Sequence, residues 1–152
     1  IARPLYFLNL LFFLFDYCSN CSSYYWFILL QIKKISMTPK EVVKTWIAAF
    51  NRIDIEALTD LYSEDAVNHQ VITDPLVGKA AIKKMFTDEF ARAEMVCIED
   101  NIFEDGEWVI LEWKDPRGLR GCVFFKVQND KIVFQRGYWD QLSFYKQQNI
   151  PF

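Results

Sequence analysis

Four apolar segments separated by short turns follow one another between residues 95 and 139. They cover residues 95–103, 107–114, 119–128 and 131–139. All four are rich in the β-branched and aromatic residues that favour strands. The turns between them read Asp-Gly, Asp-Pro-Arg-Gly and Asn-Asp, which are typical hairpin sequences. This pattern predicts a largely antiparallel four-strand meander.

Helical patterns precede the meander. Residues 38–41 (TPKE) form a capping box with proline at the first helical position, and apolar residues then recur at helical spacing as far as Phe50. Asp54 is expected to cap a short second helix, and a third helix is predicted to run from Gly78 to about Glu94. A short strand is predicted over residues 66–72, and residues 142–152 form a closing tail. Helices followed by such a sheet indicate an α+β fold.

The predicted strands are apolar on both faces, which implies a sheet that is covered on both sides. The helices account for one covered face. The second face is expected to pack against a second copy of the chain, which predicts a homodimer.

Residues 1–36 differ from the rest of the chain. They hold ten of its 26 aromatic residues and a charge of +2, which leaves −5 for residues 37–152. The two apolar runs in this segment are shorter than the roughly 20 residues of a membrane helix, and no small-residue cleavage site follows the first run. We interpret residues 1–36 as upstream sequence joined to a start at Met37. A degenerate signal or anchor and an additional structural element are the alternatives.

Charge and cysteine content exclude some classes of function. Basic residues are scattered and the net charge is −3, so no electrostatic footprint for nucleic acid is present. Cys18 and Cys21 form a single C-x-x-C without the further ligands that a zinc site needs. Cys97 and Cys122 lie in predicted strands and are expected to be buried thiols of a cytoplasmic protein.

Several stretches resemble the SnoaL-like and ketosteroid isomerase-like members of the nuclear transport factor 2-like superfamily. They are residues 46–51 (WIAAFN), 61–69 (LYSEDAVNH), 78–82 (GKAAI) and 131–140 (KIVFQRGYWD). The resemblance implies a cone-shaped, cystatin-like roll, in which three N-terminal helices pack on a strongly curved sheet. It also implies an internal pocket for a small apolar molecule and a dimer across the sheet, with no metal or organic cofactor.

Two side chains are candidates for catalysis. Counting by twos along the last strand places Asp140 on one face with Ile132, Phe134, Arg136 and Tyr138, unless a bulge intervenes. A carboxylate in apolar surroundings can act as a general base. The alternative for Asp140 is a helix cap or an ion pair. The only histidine, His69, can transfer protons near neutral pH, or it can be purely structural.

Five aromatic residues are candidates for the pocket wall, although each could equally be core: Trp46, Phe50, Phe86, Trp113 and Tyr138. Residues 68 and 70 are polar and point to the opposite face from residue 69, so only one of these two sets can line the pocket.

The sequence departs from the catalytic pattern of the resembling epoxide hydrolases. Gly137 stands where their last-strand motif has its first acid, and Trp113 stands roughly where an arginine is expected. Two functions therefore remain open. One is an isomerase, cyclase or hydrolase that acts on an apolar substrate through a carboxylate base. The other is a non-catalytic module that binds a ligand or mediates dimerisation.

Overall fold

The structure is a computed structural model that describes residues 36–151. The interpretation of the segment before Ser36 lies outside the described residues. Within the described part of the chain, no helix is long and apolar enough to cross a membrane.

The described part of the chain contains four helices, and the first two begin directly after the predicted caps Thr38 and Asp54. They are α1 (Pro39–Asn51), α2 (Ile55–Asp60), α3 (Lys79–Arg92) and α4 (Gln141–Gln148). At the start of α1, the Thr38 hydroxyl accepts a hydrogen bond from the Glu41 amide at 3.2 Å. The Thr38 amide donates to the Glu41 carboxylate at 2.7 Å, so the predicted capping box is confirmed. Asp54 caps α2 by accepting from the Ala57 amide.

The strands form one six-stranded, curved and open sheet. They are β1 (Tyr62–Gln70), β2 (Leu76–Val77), β3 (Ile98–Asp105), β4 (Trp108–Lys114), β5 (Arg120–Gln128) and β6 (Lys131–Trp139). Their order is β2-β1-β6-β5-β4-β3. The predicted meander β3 to β6 is antiparallel throughout, whereas β1 pairs in parallel with β6. The α+β prediction is confirmed. The two-residue strand β2 is too short to leave a periodic signal in the sequence.

The sheet has an inner face that the helices cover and an outer face opposite to them. Helix α1 packs across β3, β4 and β5, and α3 packs against β1 and β2. The buried inner face consists mainly of Val109, Leu111, Val123, Phe125, Val127 and Ile132. Together, the curved sheet and its helices form the cone that the family resemblance implies.

A bulge sets which residues of β6 face the interior. Between the pairs Lys126–Phe134 and Val127–Ile132, β6 advances by two residues while β5 advances by one. Side chains that follow the bulge therefore change faces. Ile132 belongs to the core, whereas Phe134 shares the outer face with its neighbours. The expectation that Ile132 and Phe134 lie on one face is therefore wrong.

Candidate functional site

Three of the predicted wall residues meet inside the cone. The ring of Trp46 stacks on Phe50 with a centroid distance of 5.0 Å, and it contacts Phe86 edge-on at 6.2 Å. Phe125 from β5 closes the same cluster at 5.3 Å from Trp46. Trp46 and Phe86 are buried, and Phe50 is partly buried. Aromatic rings from two helices and the sheet therefore pack together in the interior.

A chain of hydrogen bonds crosses this apolar interior, and we call it the polar relay. Its members are Trp46, Tyr62, Gln135, Asn68, Gln70 and Trp139. At one end, the Trp46 indole N–H donates to the Tyr62 hydroxyl at 2.8 Å. The Tyr62 hydroxyl in turn donates to Oε1 of Gln135.

The other half of the polar relay runs along β1 toward the wide end of the cone. Nδ2 of Asn68 donates to Oε1 of Gln135 at 3.2 Å. Nε2 of Gln70 donates to Oδ1 of Asn68 at 2.9 Å, and the Trp139 indole N–H donates to Oε1 of Gln70 at 3.0 Å. Asn68 and Gln70 are therefore the polar pair of β1 that faces the interior.

Burial determines the ionisation of the hydroxyl in the polar relay. Tyr62 is 1% exposed, and this burial raises the pKa of its phenol far above the usual value. The phenol therefore stays protonated throughout the physiological pH range and acts as a neutral hydrogen-bond donor.

Two glycines allow large side chains to lie across the inner face. A Cβ atom on Gly137 would overlap Oε1 of Gln70, and one on Gly121 would stand 2.5 Å from the ring of Trp113. The predicted wall residue Trp113 thus lies flat over β5, beside the wide end of the cone. At Gly121 a side chain would collide with the Trp113 ring and the Tyr138 carbonyl, whereas at Gly137 it would push aside the end of the flexible Gln70 side chain.

The wide end of the cone is covered by the last helix. Phe144 of α4 packs edge-on against Trp139 at 5.2 Å. Phe144 forms a small second cluster with Ala93 and Leu119, and Trp113 packs against it. Trp113 is therefore the link between the main core and this cover.

Asp140 caps α4. Its carboxylate accepts hydrogen bonds from the Leu142 amide at 3.0 Å and from the Ser143 hydroxyl. The Ser143 hydroxyl is the largest cause of a lowered pKa for this exposed carboxyl, and the Ser143 amide adds to it. Asp140 is thus ionised at neutral pH in a polar environment, which corresponds to the helix-cap alternative.

His69 and Tyr138 lie on the outer face of the sheet. In the β1–β6 pair, His69 is opposite Arg136. Its side chain lies on the other face of β1 from that of Asn68. Tyr138 is 43% exposed and packs edge-on against Phe124 at 5.9 Å. The hydrogen bonds of the described residues do not join His69 to Asp140, and Tyr138 does not reach the aromatic cluster inside the cone.

Sequence reasoning did not assign Tyr62, Gln135 and Trp139 to the site. The signal that could have identified Gln135 and Trp139 is the alternation along β6, in which residues 135, 137 and 139 share one face. Because the bulge shifts this alternation by one residue, counting by twos from Ile132 selects residues 134, 136 and 138, which lie on the outer face.

The sequence model of the SnoaL-like domain family matches residues 43–135, which is more than half of the chain. The chain belongs to this family. No protein with a curated description is similar enough in sequence to count as a match.

The solved structures that this SnoaL-like domain resembles include proteins named for different activities. A proposed polyketide cyclase from Pseudomonas putida is 22% identical, with 74% of this chain and 98% of that chain aligned at a TM-score of 0.65. A protein with a ketosteroid isomerase-like fold from Catenulispora acidiphila, in complex with trimethylamine, is 19% identical. The alignment covers 75% of this chain and 96% of that chain, at a TM-score of 0.66. An LEH-like epoxide hydrolase from Mycobacterium tuberculosis is 18% identical. The alignment covers 73% of this chain and 89% of that chain, at a TM-score of 0.62. At these identities, the similarity shows the fold alone.

The outer face of the domain carries a groove of about 400 Å³. Its lining consists of Trp108, Phe124, Lys126, Phe134, Arg136 and Tyr138, and we call these six residues the outer groove. The Arg136 guanidinium lies over the Phe134 ring at 5.0 Å. Nε of Arg136 is buried without a hydrogen-bond partner among the described residues. The outer groove is therefore aromatic and cationic.

Proposed function

We propose that residues 37–152 form a homodimeric SnoaL-like domain that binds an apolar small molecule inside its cone without converting it. The polar relay is the observation that carries this proposal, because ligand pockets combine apolar walls with a few convergent polar groups. Trp46, Phe50 and Phe86 supply the aromatic wall around the polar relay. Trp113 packs between the main core and the cluster around Phe144.

The chemistry of the interior supports binding rather than catalysis. The buried polar residues of the described chain, apart from Tyr62, are Thr59, Asn68 and Gln135, and none of these three has an ionisable side chain. A general base with a pKa near the working pH needs a carboxylate, imidazole or comparable group within reach of the substrate. At the position where resembling hydrolases carry an acid, Gly137 is covered by the Gln70 amide.

The binding proposal is tested with indane as an apolar probe. The full chain is labelled with ¹⁵N, and the indole N–H signals are followed by NMR during titration. We expect the Trp46 signal to shift because its ring stacks on Phe50 inside the cone. The Trp108 signal should remain in place because Trp108 lies in the outer groove.

Two alanine variants locate the probe. Phe50→Ala removes part of the interior wall and is expected to weaken indane binding at least about fivefold, since a buried aromatic ring supplies a large contact area. Phe124→Ala makes the same change in the outer groove and should leave the affinity within about twofold. Binding that is lost in Phe124→Ala, or shifts confined to Trp108, would contradict an interior site.

Catalysis with Asp140 as general base and His69 as its partner is the second candidate. The observation that favours it is that Asp140, an ionised carboxylate, follows Trp139, the last member of the polar relay, in the chain. With styrene oxide as substrate, Asp140→Asn should lower turnover by roughly 100-fold. Asp54→Asn alters the comparable cap of α2 and serves as the control. An unchanged rate in Asp140→Asn, or no turnover by the unmodified chain, contradicts this candidate.

The outer groove supports the homodimer. Phe103 and Trp108 are 59% and 42% exposed on the outer face, although large apolar side chains are usually covered. Nε of Arg136 requires an acceptor, and a carboxylate of a second copy would supply one.

The two cysteines of the described chain are free thiols, and the cytoplasm is the compartment that we propose. Burial raises the pKa of the Cys97 thiol to about 12, so this side chain behaves as a small apolar core residue.

A further inference from the structure

The outer face of the sheet carries a second groove beside the outer groove. This second groove has a volume of about 350 Å³, and we call it the acidic groove. Its lining consists of Phe103, Glu104, Asp105, Trp108, Ile110 and Phe124. Trp108 and Phe124 line both grooves and separate them. A cationic and an acidic depression of similar size therefore lie side by side on one face.

The register of the sheet places opposite charges at the two ends of one row of residues. Asp105 of β3 is opposite Trp108 of β4, which in turn is opposite Lys126 of β5. Lys126 is opposite Phe134 of β6, and the Arg136 guanidinium lies over the Phe134 ring. The row therefore runs from a carboxylate on β3 to a guanidinium above β6.

The two end charges of this row have no partner within one copy of the described chain. The Arg136 guanidinium makes no ion pair or hydrogen bond with the described residues, and neither does the exposed Asp105 carboxylate. Strands β3 and β6 are three strand spacings apart, which is about 14 Å. Arg136 and Asp105 of one copy are thus too far apart for an ion pair. Lys126, between them, already pairs with Glu107 at 3.6 Å.

Two-fold symmetry can bring these unpaired charges together. Sheets that pack face to face commonly keep their strands roughly aligned, and most homodimers have a two-fold axis. An axis parallel to the strands, between β4 and β5, lays β6 of one copy over β3 of the other. Each Asp105 then faces the Arg136 of the other copy, and the acidic groove faces the outer groove. An axis perpendicular to the strands would lay β6 over β6 and bring two guanidinium groups together.

We propose that Arg136 of each copy pairs with Asp105 of the other copy, across a two-fold axis that is parallel to the strands. This inference rests on the proposed homodimer, and it specifies the orientation and the charged contact of that dimer. The same rotation would place Phe103, which is 59% exposed, over β6 of the other copy and cover it. An arginine–carboxylate pair among aromatic rings is directional, so it selects one orientation of the two sheets.

The test first reverses the two charges separately. Arg136→Asp places carboxylate against carboxylate in the dimer, and Asp105→Arg places guanidinium against guanidinium. Like charges that face each other in an interface are unfavourable. Each variant alone is therefore expected to dimerise at least about tenfold more weakly than the unmodified full chain. Sedimentation equilibrium at micromolar concentration measures the dissociation constants.

Mixing the two variants is the decisive measurement. One variant carries a carboxylate at both positions and the other carries a guanidinium at both, so both contacts of the mixed dimer are complementary. The equimolar mixture should recover a mass of twice 18.1 kDa, with a dissociation constant within about threefold of that of the unmodified dimer. Such recovery also shows that both variants are folded. Lys84→Asp reverses a charge on α3, on the helical side of the sheet, and should leave the dimer intact.

The outcomes separate this contact from the homodimer itself. Single variants that dimerise as strongly as the unmodified chain would overturn the contact and leave the homodimer intact. Variants that unfold cooperatively in urea but stay monomeric when mixed would also overturn it. Because Asp105 is exposed, Asp105→Arg is expected to fold even if Arg136→Asp does not, and its dissociation constant then tests the contact alone. A monomeric unmodified chain would overturn the contact together with the homodimer.

Discussion

Gly137 shows how a single missing side chain shapes the interior. Gln70 passes over this glycine to reach Trp139, and a Cβ atom at the same place would overlap Oε1 of Gln70. A methyl group here would push the Gln70 amide aside and disturb its hydrogen bond with Trp139. The sequence resemblance identifies Gly137 as a departure from the hydrolases, and the structure shows which side chain occupies that space.

Gly137→Ala should therefore destabilise the fold through Gln70. We expect a loss of about 1–3 kcal/mol in the free energy of unfolding, which is typical of overpacking in a closed interior. Urea denaturation at pH 7 measures this loss. In a Gln70→Ala background, the added methyl group has no partner to displace, and the loss should fall below about 1 kcal/mol. An equal penalty in both backgrounds would show that the strain lies elsewhere.

At the level of elements, helix α1 and strand β6 illustrate two different degrees of predictability. The start of α1 is encoded locally, because Thr38, Pro39 and Glu41 satisfy its first amide groups without help from distant residues. The bounds of β6 were predicted correctly, but the bulge between β5 and β6 depends on the pairing of two strands. Counting alternate residues in the sequence therefore locates the strand but assigns its side chains to the wrong faces.

Thr38→Ala is expected to lower the free energy of unfolding by about 1 kcal/mol, since it removes the hydroxyl that caps α1. Urea denaturation of the variant and the unmodified chain gives the difference. Thr87→Ala is the matched control, because Thr87 lies inside α3 and its hydroxyl binds only the carbonyl of Lys83. The control should be neutral or slightly stabilising, since alanine is a good helix former. A Thr38→Ala loss no larger than that of the control would contradict the capping argument.

At the level of the whole molecule, the two faces of the sheet have different roles. The inner face holds the aromatic cluster and the polar relay, and the outer face carries the outer groove. The prediction that both faces are apolar followed from the strand composition. Which residues belong to which face followed only from the packing of α1 and α3.

The homodimer is tested by sedimentation equilibrium at micromolar concentration, where the mass should be twice the chain mass of 18.1 kDa. Trp108→Glu places a charge in the outer groove and should shift the equilibrium to monomer, because an unpaired charge is costly in an apolar interface. Leu142→Glu changes an exposed apolar residue of α4 and should leave the dimer intact. A monomeric unmodified chain, or equal behaviour of the two variants, would contradict dimerisation through this face.

The sequence by itself determined the local features of this protein. Capping residues, strand composition and hairpin turns act over a few neighbouring positions, so they predicted the α+β class, helices α1, α2 and α3 and the antiparallel meander. The family resemblance added the cone. The helical aromatic residues Trp46, Phe50 and Phe86 pack in the interior, as expected for large aromatic residues on the apolar face of a helix, and their role as a pocket wall stays a prediction.

Only the tertiary structure decided the contents of the site. The parallel pairing of β1 with β6 brings Asn68 to Gln135, which are 67 residues apart in the chain. The bulge turns Tyr138 outward, and the N-cap of α4 takes Asp140 into a polar environment. These positions depend on register and on contacts between distant segments. Local sequence patterns do not encode such contacts.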